Sequence, residues 1–178
     1  MSISPEQREG HALRTAISID VRGDSTQLYA LAAAVPRWAD FLPHYRYVHV
    51  LRTNGPQRTV AMSARRGWMP ISWKSILELV PEERRIIFQH VGGMARGMYV
   101  EWRIEPRDDG GVRATITHDL SRLTNPIVAW TLGRYILTHH FIDPVASRTL
   151  DCMKHLIESG DEHAQRMAAT GVTAAAAS

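Results

Sequence analysis

Cysteine is almost missing from this 178-residue sequence, with Cys152 the single one. No internal disulfide and no cysteine-based zinc site can form, and a reducing compartment is the simplest reading. An excess of one charge is also lacking. Lys and Arg number 21 against 18 Asp and Glu, a formal net charge of +3, and the Arg-Arg pairs at 65/66 and 84/85 are isolated. Both facts argue against nucleic acid as a partner. The most apolar stretch, Ile127 to Ile142, is interrupted by Arg134, His139 and His140 and falls short of a bilayer span. The start, Met1 to Gly10, is polar and lacks the apolar core of a secretory signal. A cytoplasmic location is the expectation.

Chemical motifs are equally sparse. The nine histidines form no HxxxH or HxH pair, so no metal site is expected. There is no Gly-rich phosphate loop, no Ser-His-Asp order and no paired-carboxylate motif, which disfavours nucleotide binding, phosphoryl transfer and hydrolysis. No cofactor is expected. What is present is an ordinary globular composition, 44% hydrophobic and 22% charged, sufficient for one well-packed domain.

In residues 13 to 21, Leu13, Ile17, Ile19 and Val21 alternate with Arg14, Ser18 and Asp20, the pattern of a first strand. Asp24 or Ser25 can cap a helix that carries Leu28, Leu31, Ala32 and Val35 as far as Pro36. A second short helix with Trp38, Phe41 and Leu42 runs from Pro36 to Pro43. From Tyr45 to Leu120, turn signals separate six strands at about 45 to 53, 57 to 66, 71 to 80, 85 to 91, 97 to 105 and 112 to 120. Short connections make them an antiparallel meander. After Asn125-Pro126, a long helical stripe runs through Val128, Leu132, Tyr135, His139, Ile142, Ala146, Leu150, Met153 and Ile157. Pro144 breaks or kinks it, with Asp143 as a cap, and Gly160 ends it.

The expected architecture is α+β: a seven-stranded curved antiparallel sheet wrapped around a long C-terminal helix, with two short helices after strand one. The domain spans residues 13–160, with a flexible arm at 1–12 and a frayed or disordered tail at 161–178. Such a sheet closing on one helix leaves an apolar cavity, expected at about 300 Å³ or more.

The segment Val35-Pro36-Arg37-Trp38-Ala39-Asp40-Phe41-Leu42-Pro43-His44-Tyr45 resembles the Trp-containing short helix of the polyketide cyclase/dehydrase group. That group lies within the helix-grip superfamily of START domains and birch-pollen-allergen-like proteins. Trp73, Val80-Pro81, Val91-Gly92-Gly93 and Glu101-Trp102-Arg103-Ile104-Glu105-Pro106 extend the resemblance over about residues 13 to 158. It implies a helix-grip fold and, in the cyclases, a cavity in which a poly-β-ketone undergoes aldol ring closure and dehydration. It also implies that Trp38 shapes the pocket and that Tyr45 donates a proton at its mouth. One position departs from the pattern: those cyclases carry arginine immediately before Val-Pro, where this chain has Leu79.

Alternation anchored on Trp73 brings Ser75, Leu77 and Leu79 to its face, and Trp102 brings Met98 and Val100. With Trp38, Phe88 and Tyr135 these are the candidate ligand contacts, although Trp73 and Trp102 suit plain core equally well. Tyr45, His139 and Arg66 are the catalytic candidates, as donor, proton carrier and replacement cation. His139 also suits a hydrogen-bonded core position, and His90 and His118 lie at alternating strand positions that can face inward. Two functions stay open: a polyketide cyclase/dehydratase acting on a poly-ketone or aromatic intermediate, or a non-catalytic carrier of a lipid or isoprenoid quinone. Trp130, Leu137 and Phe141 fall on the opposite side of the last helix, where a second subunit or a membrane surface would cover them.

Overall fold

The structure is a computed structural model that describes residues 14–125, 135, 137–162 and 166. The expected arm, most of the expected tail and Trp130 lie outside them. β1 (Arg14–Val21) leads through Asp24, whose carboxylate accepts from the Gln27 amide at 2.8 Å, into α1 (Ser25–Ala33). That bond satisfies one of the helix's unpaired amino-terminal donors. Leu28 and every residue from Tyr29 to Ala33 are buried, so α1 is enclosed from its second turn on, between β6 and the last helix. A 3-10 turn (Val35–Arg37) with Pro36 near its start hands over to the single-turn α2 (Trp38–Phe41).

β2 (Tyr45–Asn54), β3 (Gln57–Arg66), β4 (Met69–Val80), β5 (Arg85–Gly93), β6 (Tyr99–Pro106) and β7 (Val112–Asp119) follow. All pair antiparallel in the order β1-β7-β6-β5-β4-β3-β2. The two sequence ends of the sheet meet because β1 adds beside β7, with Ile17 opposite Ile116. Period-two burial holds through β6 and β7: Val100, Trp102 and Ile104 point inward, as do Ala114, Ile116 and His118. Between β4 and β5 the register slips, Lys74 facing Gly92 while Ser75 faces His90, which leaves Val91 as a bulge. Such an extra residue bends the strand and tightens the sheet's curl.

The helical segment that the sheet wraps runs from helical Leu137 through a π turn (Thr138–Ile142) and continues as α3 (Asp143–Glu158), with Pro144 in its first turn. Ala146, Thr149, Leu150, Met153 and Ile157 form its buried stripe. The break expected at Pro144 is therefore a change of helical winding. Its consequence is a correction. A π turn takes in one more residue than an α turn, so everything before it rotates by about 100° relative to an unbroken α-helical stripe. Leu137, expected outside, is buried, and Tyr135, expected inside, is 59% exposed. His139 also turns outward, its side chain 53% exposed beside Asp143 at 3.3 Å.

One glycine is demanded by close approach. Gly97, at φ +96°, packs so tightly that a Cβ there would lie 1.8 Å from the carbonyl oxygen of Arg122. This contact joins the β5–β6 turn to the segment after β7, where the Thr124 amide donates to Arg96 at 3.0 Å.

Candidate functional site

A cavity lies between the sheet and the helix, toward the sheet end where β3 turns into β4 and β5 into β6. Its sheet wall is built from inward positions: Met62 on β3, Ile71 and Trp73 on β4, Phe88 and His90 on β5. Val100 and Trp102 on β6 and Ile116 and His118 on β7 complete it. The helix contributes Leu137, Phe141, Ile142, Val145, Ala146 and Thr149. Trp38 is buried, its ring centre 5.1 Å from Tyr45, 5.5 Å from Trp102 and 5.8 Å from Phe88, while its Nε1 donates to the Ala32 carbonyl at 3.1 Å. That bond satisfies the buried indole, so Trp38 presents only apolar surface to the cavity.

The free space measures about 110 Å³. This corrects the expected 300 Å³ or more: the large rings of the lining occupy most of the gap left by the curl of the sheet. A space of this size is below the roughly 150 Å³ that accommodates a benzene ring.

The polar groups of the cavity are few and held neutral. Burial pushes His90 down to about 3, with His118 adding to the shift, and burial pushes His118 down to about 4. Their Nδ1 atoms lie 3.0 Å from Ser75 Oγ and 3.4 Å from Thr15 Oγ1. Burial also raises the Tyr45 hydroxyl far above its ordinary value, so it keeps its proton. Tyr45 stands beside Thr149, whose Oγ1 donates to the Val145 carbonyl at 2.7 Å and lies 2.8 Å from Nε2 of His44. A hydroxyl has one proton and two lone pairs. With its proton given to Val145, Thr149 accepts from the Nε2–H tautomer of His44. His44 itself is lowered to about 4 by burial and by Arg148. It touches Tyr45 at 4.9 Å between ring centres.

Of the residues expected at the site, Trp38, Tyr45, Trp73, Phe88, Met98, Val100 and Trp102 come together around this space. Ser75 stands one atom behind it, holding His90. Leu77 and Leu79 are buried farther along β4 and do not line it. His139 and Tyr135 are turned to the outside by the π turn, their rings 4.4 Å apart. Arg66 lies at the exposed end of β3, where its guanidinium is spent on His140. Phe141, expected on an outer interface with Leu137, packs against the core and lines the cavity. His90 and His118 were readable as inward positions, in phase with Phe88 and Ile116; Thr149, in phase with Ala146, carried no chemical signal in the sequence.

A curled antiparallel sheet gripping a C-terminal helix, with an apolar cavity between them, defines a helix-grip domain. The chain belongs to the polyketide cyclase/dehydrase and lipid transport family, which matches residues 22–139. No curated protein sequence matches it. Among solved structures, a protein from Thermus thermophilus superposes with a TM-score of 0.68 at 18% identity, over 83% of this chain and 99% of that one. The Zhui aromatase/cyclase from a Streptomyces species gives 0.61 at 17% identity, over 83% and 97%. The StfQ di-domain aromatase/cyclase of steffimycin biosynthesis gives 0.68 at 13% identity, over 86% of this chain and 54% of that protein. At these identities the likeness is one of fold. Among the described residues no helix is long and apolar enough to cross a membrane.

Proposed function

We propose that this chain binds a poly-ketone or partly aromatised intermediate in the cavity and promotes its aldol cyclisation and dehydration. The observation that carries this reading is the set of neutral proton donors and acceptors, Tyr45, His90 and His118, set into a wall of aromatic rings. An apolar wall holds a flexible chain folded near its reactive shape, and the few polar groups then meet carbonyl oxygens.

In the proposed sequence, Nε2 of His90, with Nδ1–H turned to Ser75, takes a proton from a methylene between two ketones. The resulting enolate carbon attacks a second carbonyl, a C–C bond forms, and the new alkoxide takes a proton from Tyr45. Loss of the hydroxyl as water, with a proton supplied by imidazolium and the remaining α-proton taken by the Tyr45 phenolate, yields the unsaturated ring and restores both the neutral histidine and the tyrosine hydroxyl. Burial disfavours imidazolium until an enolate forms beside it, so proton transfer waits for the ligand. Among the described residues lining the cavity there is no arginine or lysine, and hydrogen bonds replace the cation expected from the related cyclases. A ligand of several rings exceeds the present space; Leu137 and Phe141, on the π-wound start of the helix, are the wall that yields.

The test is incubation with a synthetic poly-β-ketone thioester, with products followed by mass spectrometry and binding by quenching of the cavity tryptophans. Wild type yields a product short of one water per ring formed, and Tyr45→Phe binds equally but turns over about a hundredfold more slowly. Tight binding with products identical to those in buffer alone overturns catalysis and leaves a carrier of an apolar ligand.

A further inference from the structure

Three segments surround the cavity end of the sheet: the β3–β4 turn, the β5–β6 turn and the stretch just after β7. The β3–β4 hairpin projects beyond its neighbour, since Trp73 pairs with Gly93 and the hairpin continues for Met69 through Ser72 past that point. At its tip Trp68 is 89% exposed, the most exposed large apolar side chain described, with Met69 beside it and Met94 exposed on the adjacent turn. A tryptophan held in water on a projecting turn, away from any groove, lacks the flat surroundings of a protein interface. It is suited to the headgroup layer of a bilayer, where an amphipathic ring is most at home.

Charge at this end points the same way. Residues 65–70, 94–98 and 120–125 contain Arg65, Arg66, Arg96 and Arg122 and no carboxylate. All four arginines are exposed, and the nearby Asp119 is already bonded to Arg14 at 2.9 Å. At the opposite end, charges are mixed and paired: Arg113 binds Asp20 at 2.7 Å, Arg107 binds Asp109 at 2.8 Å, and Lys154 lies 3.8 Å from Glu158. These three segments therefore carry positive charge alone, which the small net charge of the chain does not reveal.

We infer that the cavity end of this domain docks on a bilayer surface containing anionic phospholipid, with Trp68, Met69 and Met94 entering the headgroup region and Arg65, Arg96 and Arg122 facing phosphates. Apolar ligands partition into bilayers, and this contact places the cavity where they reside. The inference rests on the reading of the cavity as an apolar ligand site and is independent of whether the ligand is turned over.

The full chain is sedimented with vesicles of phosphatidylcholine mixed with phosphatidylglycerol, and with vesicles of phosphatidylcholine alone. Binding is expected to the mixed vesicles, weakening as salt rises, together with a blue shift of tryptophan emission that Trp68→Ser removes. Arg65→Gln/Arg96→Gln lowers the affinity about tenfold or more. Trp68 touches no core, so Trp68→Ser keeps its unfolding midpoint, which is measured alongside. Uptake of 8-anilinonaphthalene sulfonate without vesicles reports the cavity separately. Wild-type protein that takes up the dye but ignores mixed vesicles at low salt overturns the docking alone; absence of dye uptake overturns the cavity reading. Equal vesicle binding by wild type and both variants, or rim substitutions that abolish self-association or capture of an acidic protein in place of vesicle binding, also overturns the inference.

Discussion

One nitrogen of the Arg66 guanidinium, at the end of β3, donates to the carbonyl oxygen of His140 at 2.5 Å and lies 2.9 Å from its ring Nδ1. His140 stands four residues before Pro144, the position whose amide would take up that carbonyl in an α-helix. Proline has no N–H to offer. Arg66 therefore takes up that carbonyl from outside and ties the π turn to the sheet beside the cavity.

Arg66→Ala leaves that carbonyl to water. Because the contact is exposed, the loss of stability is about 1 kcal/mol or less, but the π turn loses its anchor. Amides of residues 137–146 should exchange hydrogen faster while those of β5 to β7 keep their protection, and ligand uptake should accelerate. Unchanged exchange across the helix start means that Arg66 holds nothing in place.

Thr149→Val keeps shape and removes the oxygen that accepts from His44. A buried donor then lacks its acceptor, at a cost of about 1 to 3 kcal/mol in chemical denaturation. Thr149→Ser restores the acceptor and should recover most of the loss. Equal stability of the valine and serine variants contradicts the role of Thr149 as acceptor for His44.

The buried histidines set a pH dependence. His44 and His118 at about 4 and His90 at about 3 lie below the ordinary histidine value of 6.5. Between 6.5 and these lower values the unfolded chain binds protons that the folded chain refuses. Stability is therefore complete above about pH 6.5 and falls as the pH drops through that window, each histidine contributing a slope of up to about 1.4 kcal/mol per pH unit. Urea midpoints at neutral pH and near pH 5 check this, and His118→Gln should flatten the fall. A midpoint that stays level across the window rules out neutral burial of these side chains.

Trp38 and Trp73 line the same cavity with different burial. Trp38 is 2% exposed, and Trp38→Ala should cost about 3 to 5 kcal/mol. Trp73 is only half-buried, with its ring stacked 6.0 Å from His90, so Trp73→Ala should cost less and chiefly weaken ligand binding. Thermal or urea unfolding of the pair gives the order, and a larger loss at Trp73 reverses the assignment.

Much of the site was legible because strands alternate. Once Trp102 is inside, Val100 and Ile104 must be, and the same rule turns Ser75 and Leu77 inward with Trp73. Alternation gives a direction but no depth: Leu77 and Leu79 obey it and still lie beyond the cavity, in packed core. The helix misled for a different reason. Spacing read back from Ile157 through Met153 and Ala146 predicts His139 and Tyr135 on the inner face, and the added residue of the π turn puts Leu137 and Phe141 there.

The elements themselves were determined by the sequence, since caps such as Asp24, prolines, turn glycines and apolar periodicity act over a few residues and need no distant partner. Which wall the helix start presents, how much of the gap its rings fill, and that Arg66 serves His140 were decided by tertiary structure alone. Each depends on groups far apart in the chain: Arg66 and His140 are separated by 74 positions. A local pattern carries no record of which side chain will meet a carbonyl left open by a proline.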